Sequence, residues 1–202
     1  MNPKFYSLPE EKRQAILNAG YRVFSQNSYK KSPMSEIADA AGISKSLLFH
    51  YFHNKKELYL YLLETCAQVT AECVRDCYEQ EDIFEMMRSG LRAKAQLMRR
   101  HPDMTGFALR AYCEKDPDVC REVQALISRY GSFRANGPKL KLDPDRFIPG
   151  LDLRLMYQDM YWAGEGYIWE QFQRGEMDVE RMEREYNRMI DFWQSIYLRK
   201  GD

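Results

Sequence analysis

The segment from Met34 to Leu58, MSEIADAAGISKSLLFHYFHNKKEL, constrains the fold more than any other part of this chain, because two short periodic stretches are joined by one glycine and followed by a third. Ser32-Pro33 marks a helix start, since a serine hydroxyl can accept from free backbone N–H groups and proline fits the first helical position. A helix is therefore expected to begin at Pro33. Ile37, Ala38 and Ala41 fall at helical spacing, and Gly42 can adopt the positive φ that ends the helix and turns the chain. Ser44 can cap a second helix that exposes Lys45, Ser46 and His50 while Leu48 and Phe52, four residues apart, point inward. The outline is that of a helix-turn-helix. By spacing alone, a helical hairpin with no nucleic-acid role fits it equally well.

The wider sequence separates the two readings. Residues 16–63 resemble the N-terminal domain of the TetR family of bacterial transcription repressors. ILNAGYRVF stands where that family has an alanine- and phenylalanine-bearing helix. EIADAAGISKSLLFHYFHNKKEL stands where it has an IA…AG(V/I)SK core and an aromatic (H/Y)(Y/H)F…K segment. The resemblance implies an all-α fold of about nine helices, with a three-helix DNA-binding domain at 1–54 and a larger ligand-binding and dimerisation domain at 55–202. It also implies a sequence-specific regulator: a homodimeric repressor released from a palindromic double-stranded operator when a small hydrophobic or aromatic inducer binds. DNA contacts are then expected from Ser32, Met34, Ser44, Lys45, Ser46, Leu47, Phe49, His50, Tyr51 and Lys55. Lys55 matches the family lysine at the start of the fourth helix, where a helix N-terminus and an ammonium group together suit a phosphate. Four positions depart from the pattern. Ser28 and Ser46 stand where glycine is usual, Leu47 where a small polar residue is frequent, and Phe49 where tyrosine is usual, so His50 or Tyr51 has to supply the polar contact.

Composition is compatible with this reading and narrows the alternatives. The chain has 202 residues, of which 45% are hydrophobic, enough for a buried core. Its balanced charge hides an asymmetry: residues 1–57 carry nine Lys/Arg against five Asp/Glu, an excess that attracts phosphates while the remaining acidic body disfavours wrapping by a polyanion. No targeting segment or bilayer-length apolar run is evident, so a cytoplasmic protein is expected. Five cysteines, an odd number, argue against a closed disulfide framework. Cys66, Cys73 and Cys77 share a face on one predicted helix, as sensor thiols or as core; with no C-x-x-C and no nearby His, core packing is the expected role. Cys113 and Cys120 read the same way.

The rest of the chain reads as helical. A fourth helix is predicted over 55–79, a fifth over 83–100 ending before His101-Pro102, a sixth capped by Asp103, and a seventh over 119–133. Residues 137–150, GPKLKLDPDRFIPG, form the main irregular joint. The last two helices, about 151–174 and 178–198, carry large apolar groups around much of their circumference, which implies burial inside the subunit and against a partner copy. Between reader and dimer helices, a Met- and aromatic-rich stretch suits a medium-sized apolar ligand, although such a stripe also serves as plain core. The ligand-contact expectation covers Met87, Leu91, Met98, Met104, Phe107, Tyr112, Tyr130, Tyr161 and Glu165.

An enzyme is not expected. Of three histidines, His50 and His53 lie in the helix-turn-helix segment and His101 precedes a proline, which leaves little material for a triad. There is no phosphate-binding glycine loop, so no cofactor is expected, and no metal site. The pairs Asp116/Asp118 and Asp143/Asp145 sit in turn-like segments and read as caps. The remaining alternative is a dimeric ligand-sensing adaptor that does not bind an operator.

Overall fold

The computed structural model describes residues 2–135, 142–175 and 177–199, with the backbone alone for 131–135. Among them the chain forms nine α-helices: α1 (Glu10–Gln26), α2 (Met34–Ala40), α3 (Lys45–Tyr51), α4 (Lys55–Val74), α5 (Ile83–Arg100), α6 (Pro102–Tyr112), α7 (Cys120–Ala135), α8 (Leu153–Gln173) and α9 (Val179–Tyr197). Single 3-10 turns cover Pro3–Phe5, Asp76–Glu79 and Pro144–Arg146. The described residues contain no strand, only an isolated antiparallel bridge between Phe147 and Leu198.

Helix boundaries follow local chemistry where the capping group has no better partner. Gly42 takes φ 68° between α2 and α3, and the Ser44 hydroxyl accepts from the Leu47 N–H at 3.1 Å to start α3. Asp82, Asp152 and Asp178 accept from backbone N–H groups at the starts of α5, α8 and α9. Three boundary expectations are corrected. Ser32 does not cap α2: its hydroxyl donates back to the Ser28 carbonyl at 3.0 Å, and α2 begins at Met34 after Pro33. Asp103 lies inside the first turn of α6, which starts at Pro102, and its carboxylate accepts from Ser25 Oγ at 3.4 Å instead. Helix α4 stops at Val74 and the chain tightens into a 3-10 turn, so Cys77 leaves the α4 face that carries Cys66 and Cys73.

The chain divides into two compact units, residues 1–69 with 101–129, and residues 70–100 with 130–202. The first unit thus takes in α6 and much of α7 as well as the N-terminal helices, a larger body than the segment 1–54. Its centre is Phe107 of α6, fully buried, with ring centroids 4.9 Å from Tyr59, 5.6 Å from Tyr21 and 5.9 Å from Phe24. Beside it the buried Cys66 thiol meets the Met104 carbonyl. Met104 and Phe107, expected as ligand contacts, are buried core of the first unit. The N-terminal segment is fastened by Phe5, whose ring lies 4.9 Å from Phe52 and 5.7 Å from Tyr61.

The second unit is built on α5, α8 and α9. Ile83, Phe84, Met86, Met156, Met160, Ile190 and Trp193 form one buried cluster with Phe147, and Leu91, Ala95 and Met182 form another. Arg88 ties α5 to α9 through Asp191 at 2.9 Å and Gln194 at 2.7 Å. Asp82 is held by Arg146 at 2.6 Å and by the Phe84 and Glu85 N–H groups; partial burial alone would raise its pKa, but these donors bring it below the ordinary carboxylate value.

Because Phe107 is fully buried against aromatic rings of two other helices, α1 and α4, Phe107→Ala should lower unfolding free energy by about 3–5 kcal/mol. Urea titration followed by circular dichroism measures this, and a loss below about 1 kcal/mol would contradict its central position.

Candidate functional site

In the first unit, α3 presents one side outward. Lys45, Ser46, Leu47, Phe49 and His50 are exposed, while Leu48, Tyr51 and the following Phe52 are buried. At about 100° per residue, Ser46 and His50 point directly away from the buried side, with Lys45 and Phe49 on one flank and Leu47 on the other. The Lys45 ammonium sits 6.0 Å from the Phe49 ring centroid, and His50 Nε2 lies 3.2 Å from the Asn2 side-chain amide. Lys30 and Lys31, in the loop before α2, are also exposed. This is an apolar-anchored helix with polar tips and nearby cations, an arrangement able to enter a groove and meet phosphates.

Several residues expected on that face lie elsewhere. Ser32 is fully buried, its hydroxyl spent on the Ser28 carbonyl. Met34 is core, and Tyr51 is core too, with its ring edge-on to Phe5. Lys55 does not stand free for a phosphate: its ammonium donates to the carbonyls of Tyr29 at 2.7 Å and Lys30 at 3.4 Å and lies 4.4 Å from the Tyr29 ring centroid. Tyr29 is itself tied down. Its N–H donates to Glu114 at 2.9 Å and its hydroxyl donates to Asp118 in a close contact. Burial, then the bond to Asp118 and the surrounding acids, push the Tyr29 pKa far up, so the phenol remains a donor. Nearby, Lys56 pairs with Glu122 at 2.6 Å. Sequence spacing gave no sign of this junction between the α1–α2 loop, α4 and the α6–α7 connection. The capping roles expected for Asp116 and Asp143 are present, each accepting from the N–H two residues on.

The second unit contains a cavity. Met86, Met87, Gly90, Leu91 and Lys94 of α5 form one wall, and Tyr157, Tyr161, Glu165 and Ile168 of α8, spaced along one helix face, form another. Val74, Cys77, Tyr78 and Tyr186 complete it. Tyr186 fits because position 164 is glycine: a Cβ there would collide with the phenol. Burial, followed by the proximity of Glu165 and Tyr161, pushes the Tyr186 pKa up and keeps its hydroxyl protonated. Of the expected ligand residues, Met87, Leu91, Tyr161 and Glu165 line this cavity. Met98 packs beside the Leu91–Ala95–Met182 cluster, Tyr112 is exposed at the end of α6, and Tyr130 is half-buried away from the lining. Tyr78, Tyr157 and Tyr186 also line the cavity, a placement that helix periodicity does not mark because it does not tell which stripes face one another. Among the described residues, no cluster of His, Cys, Asp and Glu is arranged to hold a metal, and none of the five cysteines is joined in a disulfide.

Helices α8 and α9 also carry apolar groups that face solvent. Leu155 and Trp162 on α8 are 56% and 57% exposed, and Phe192 on α9 is 60% exposed. These are large residues to leave in water on helices already packed on their other side.

Comparison with known proteins agrees with this arrangement. Residues 16–62 match the family model described as bacterial regulatory proteins, tetR family. The HTH-type transcriptional regulator RutR of Escherichia coli is 28% identical over 145 residues, covering 68% of each chain. The HTH-type transcriptional repressor AcnR of Corynebacterium efficiens is 31% identical over 83 residues, 41% of this chain and 42% of that one. In fold, the crystal structure of a TetR family transcriptional regulator from Chloroflexus aurantiacus superposes with a TM-score of 0.63 at 21% identity, over 98% of this chain and 99% of the other.

Replacing Lys55 by Met leaves the Tyr29 and Lys30 carbonyls without their charged donor, so stability should fall by about 1.5–3 kcal/mol. The exposed Lys31→Ala should change stability by less than about 0.5 kcal/mol, yet reduce the slope of log affinity against log salt by about 1. An unchanged urea midpoint for Lys55→Met would refute its role as a tether.

Proposed function

We propose that the chain is a TetR-family regulator, a homodimeric repressor that leaves a palindromic operator when a small apolar or aromatic inducer fills the cavity of the second unit. The observation that carries this reading is the outward face of α3, where Lys45, Ser46 and His50 project from a buried base of Leu48, Tyr51 and Phe52. An adaptor with no operator would have no use for such a face beside Lys30 and Lys31. The protein works in the cytoplasm, where duplex DNA is reached; no helix among the described residues is long and apolar enough to cross a membrane.

Dimerisation runs through α8 and α9, where Leu155, Trp162, Phe192 and Ile196 offer an apolar surface. Two-fold symmetry in such a dimer matches a palindrome whose half-sites lie roughly 34–36 Å apart. The regulatory link is α4, which begins at Lys55 beside the reader and ends at Val74 in the cavity wall. A ligand that fits better in one arrangement of α4 shifts the population toward it, and coupling of about 1–3 kcal/mol changes operator affinity roughly 5- to 150-fold.

Selection of bound duplexes from a random-sequence pool tests the reader and the dimer together. The wild-type chain should recover a palindrome and behave as a dimer in light scattering. Trp162→Glu, which sets a charge in the apolar surface, should shift it toward monomer and weaken operator binding. A variant that stays dimeric with unchanged affinity would remove α8–α9 as the interface.

A further inference from the structure

Leu47 and Phe49 are each 37% exposed on a helix of seven residues whose other apolar side chains are buried. Neither side chain has a hydrogen-bond donor or acceptor. They can bind DNA only by removing apolar surface from water. On the major-groove edge of the bases, the apolar feature that distinguishes one pair from another is the C5-methyl of thymine. We propose that Leu47 and Phe49 are specificity-determining residues that read thymine methyl groups, so that each operator half-site carries A·T pairs at two fixed steps. The inference rests on α3 being the DNA reader.

Geometry adds detail. Leu47 and Phe49 lie on opposite flanks of the outward face, with Ser46 and His50 between them, so they meet different base steps. Lys45, one turn before Phe49 and 6.0 Å from its ring, places an ammonium donor beside the Phe49 methyl contact, suited to guanine O6 or N7 at an adjacent pair. The competing use of both side chains is packing against deoxyribose, which is the same at every sequence.

Thymine and uracil pair identically and differ only by that methyl, which isolates the contact. Two random-sequence duplex pools, one containing thymine and one containing deoxyuridine in its place, are presented to the full-length chain. From the thymine pool, two A·T steps per half-site should be enriched. In the recovered duplex, replacing a single contacted thymine by deoxyuridine should weaken binding about fourfold, equivalent to ~0.8 kcal/mol for one buried carbon. Leu47→Ala should abolish the thymine preference at one step and Phe49→Ala at the other, each leaving the second step sensitive. Both sites are exposed, so circular dichroism should show both variants folded. Equal enrichment from the two pools, or variants that weaken thymine and deoxyuridine duplexes alike, would overturn methyl reading in favour of sugar packing. Enrichment from neither pool would overturn the assignment of α3 as a DNA reader, and this inference with it.

Discussion

The reading head depends on the bond between the Lys55 ammonium and the Tyr29 carbonyl. The loop before α2 has little apolar surface of its own, since Ser28, Lys30 and Lys31 are exposed and, beside the polar Ser32, Tyr29 is its buried side chain. Ordering that loop costs about 1–2 kcal/mol per residue in backbone entropy. Lys55 offsets part of this with a charged hydrogen bond and a cation–π contact of about 0.5–2 kcal/mol. Glu114 and Asp118 hold the other polar groups of Tyr29. The turn into α2 is thus fixed by α4 and by the α6–α7 connection at once, and Arg110 adds a close contact to the Ser25 carbonyl. Helices α2 and α3 therefore belong to one body with the first part of α4 and α6. A signal that alters DNA affinity has to move that body or loosen the Tyr29 junction.

What the sequence made legible was the chemistry that acts over a few residues. Gly42, Ser44 and the His101-Pro102 step marked turns and ends because positive φ, a short-range N–H acceptor and a missing donor are local properties. Ser32 and Asp103 are the same kinds of residue and misled, since each has a tertiary or upstream partner that outcompetes the cap. Lys55 shows the limit of motif matching: its position was recognisable, but its partners are 25 and 26 residues away in the chain. The apolar stripes divide in the same way. Met87 and Leu91 on α5 line a cavity, whereas Met104 and Phe107 on α6 fill a core against α1. Periodicity identifies a face that leaves water, and only the packing of a second helix decides what it meets.

Helix α8 brings two demands together. One face turns Tyr157, Tyr161 and Glu165 toward the cavity, and another turns Leu155 and Trp162 to solvent. Gly164 lies between these demands: without a Cβ it lets the Tyr186 phenol of α9 close against the α8 backbone, so cavity wall and helix packing share one contact. Glycine within a helix costs roughly 1 kcal/mol relative to alanine, and the fit of Tyr186 gives that cost a purpose. A ligand pressing on Tyr161 or Tyr186 therefore acts on the seating of α8 against α9, the same two helices that carry the exposed apolar surface. The aromatic loading of this part of the chain divides by face: tyrosines line the cavity, where a phenol can pack and still donate, and Leu, Trp and Phe stand on the outer, exposed surface.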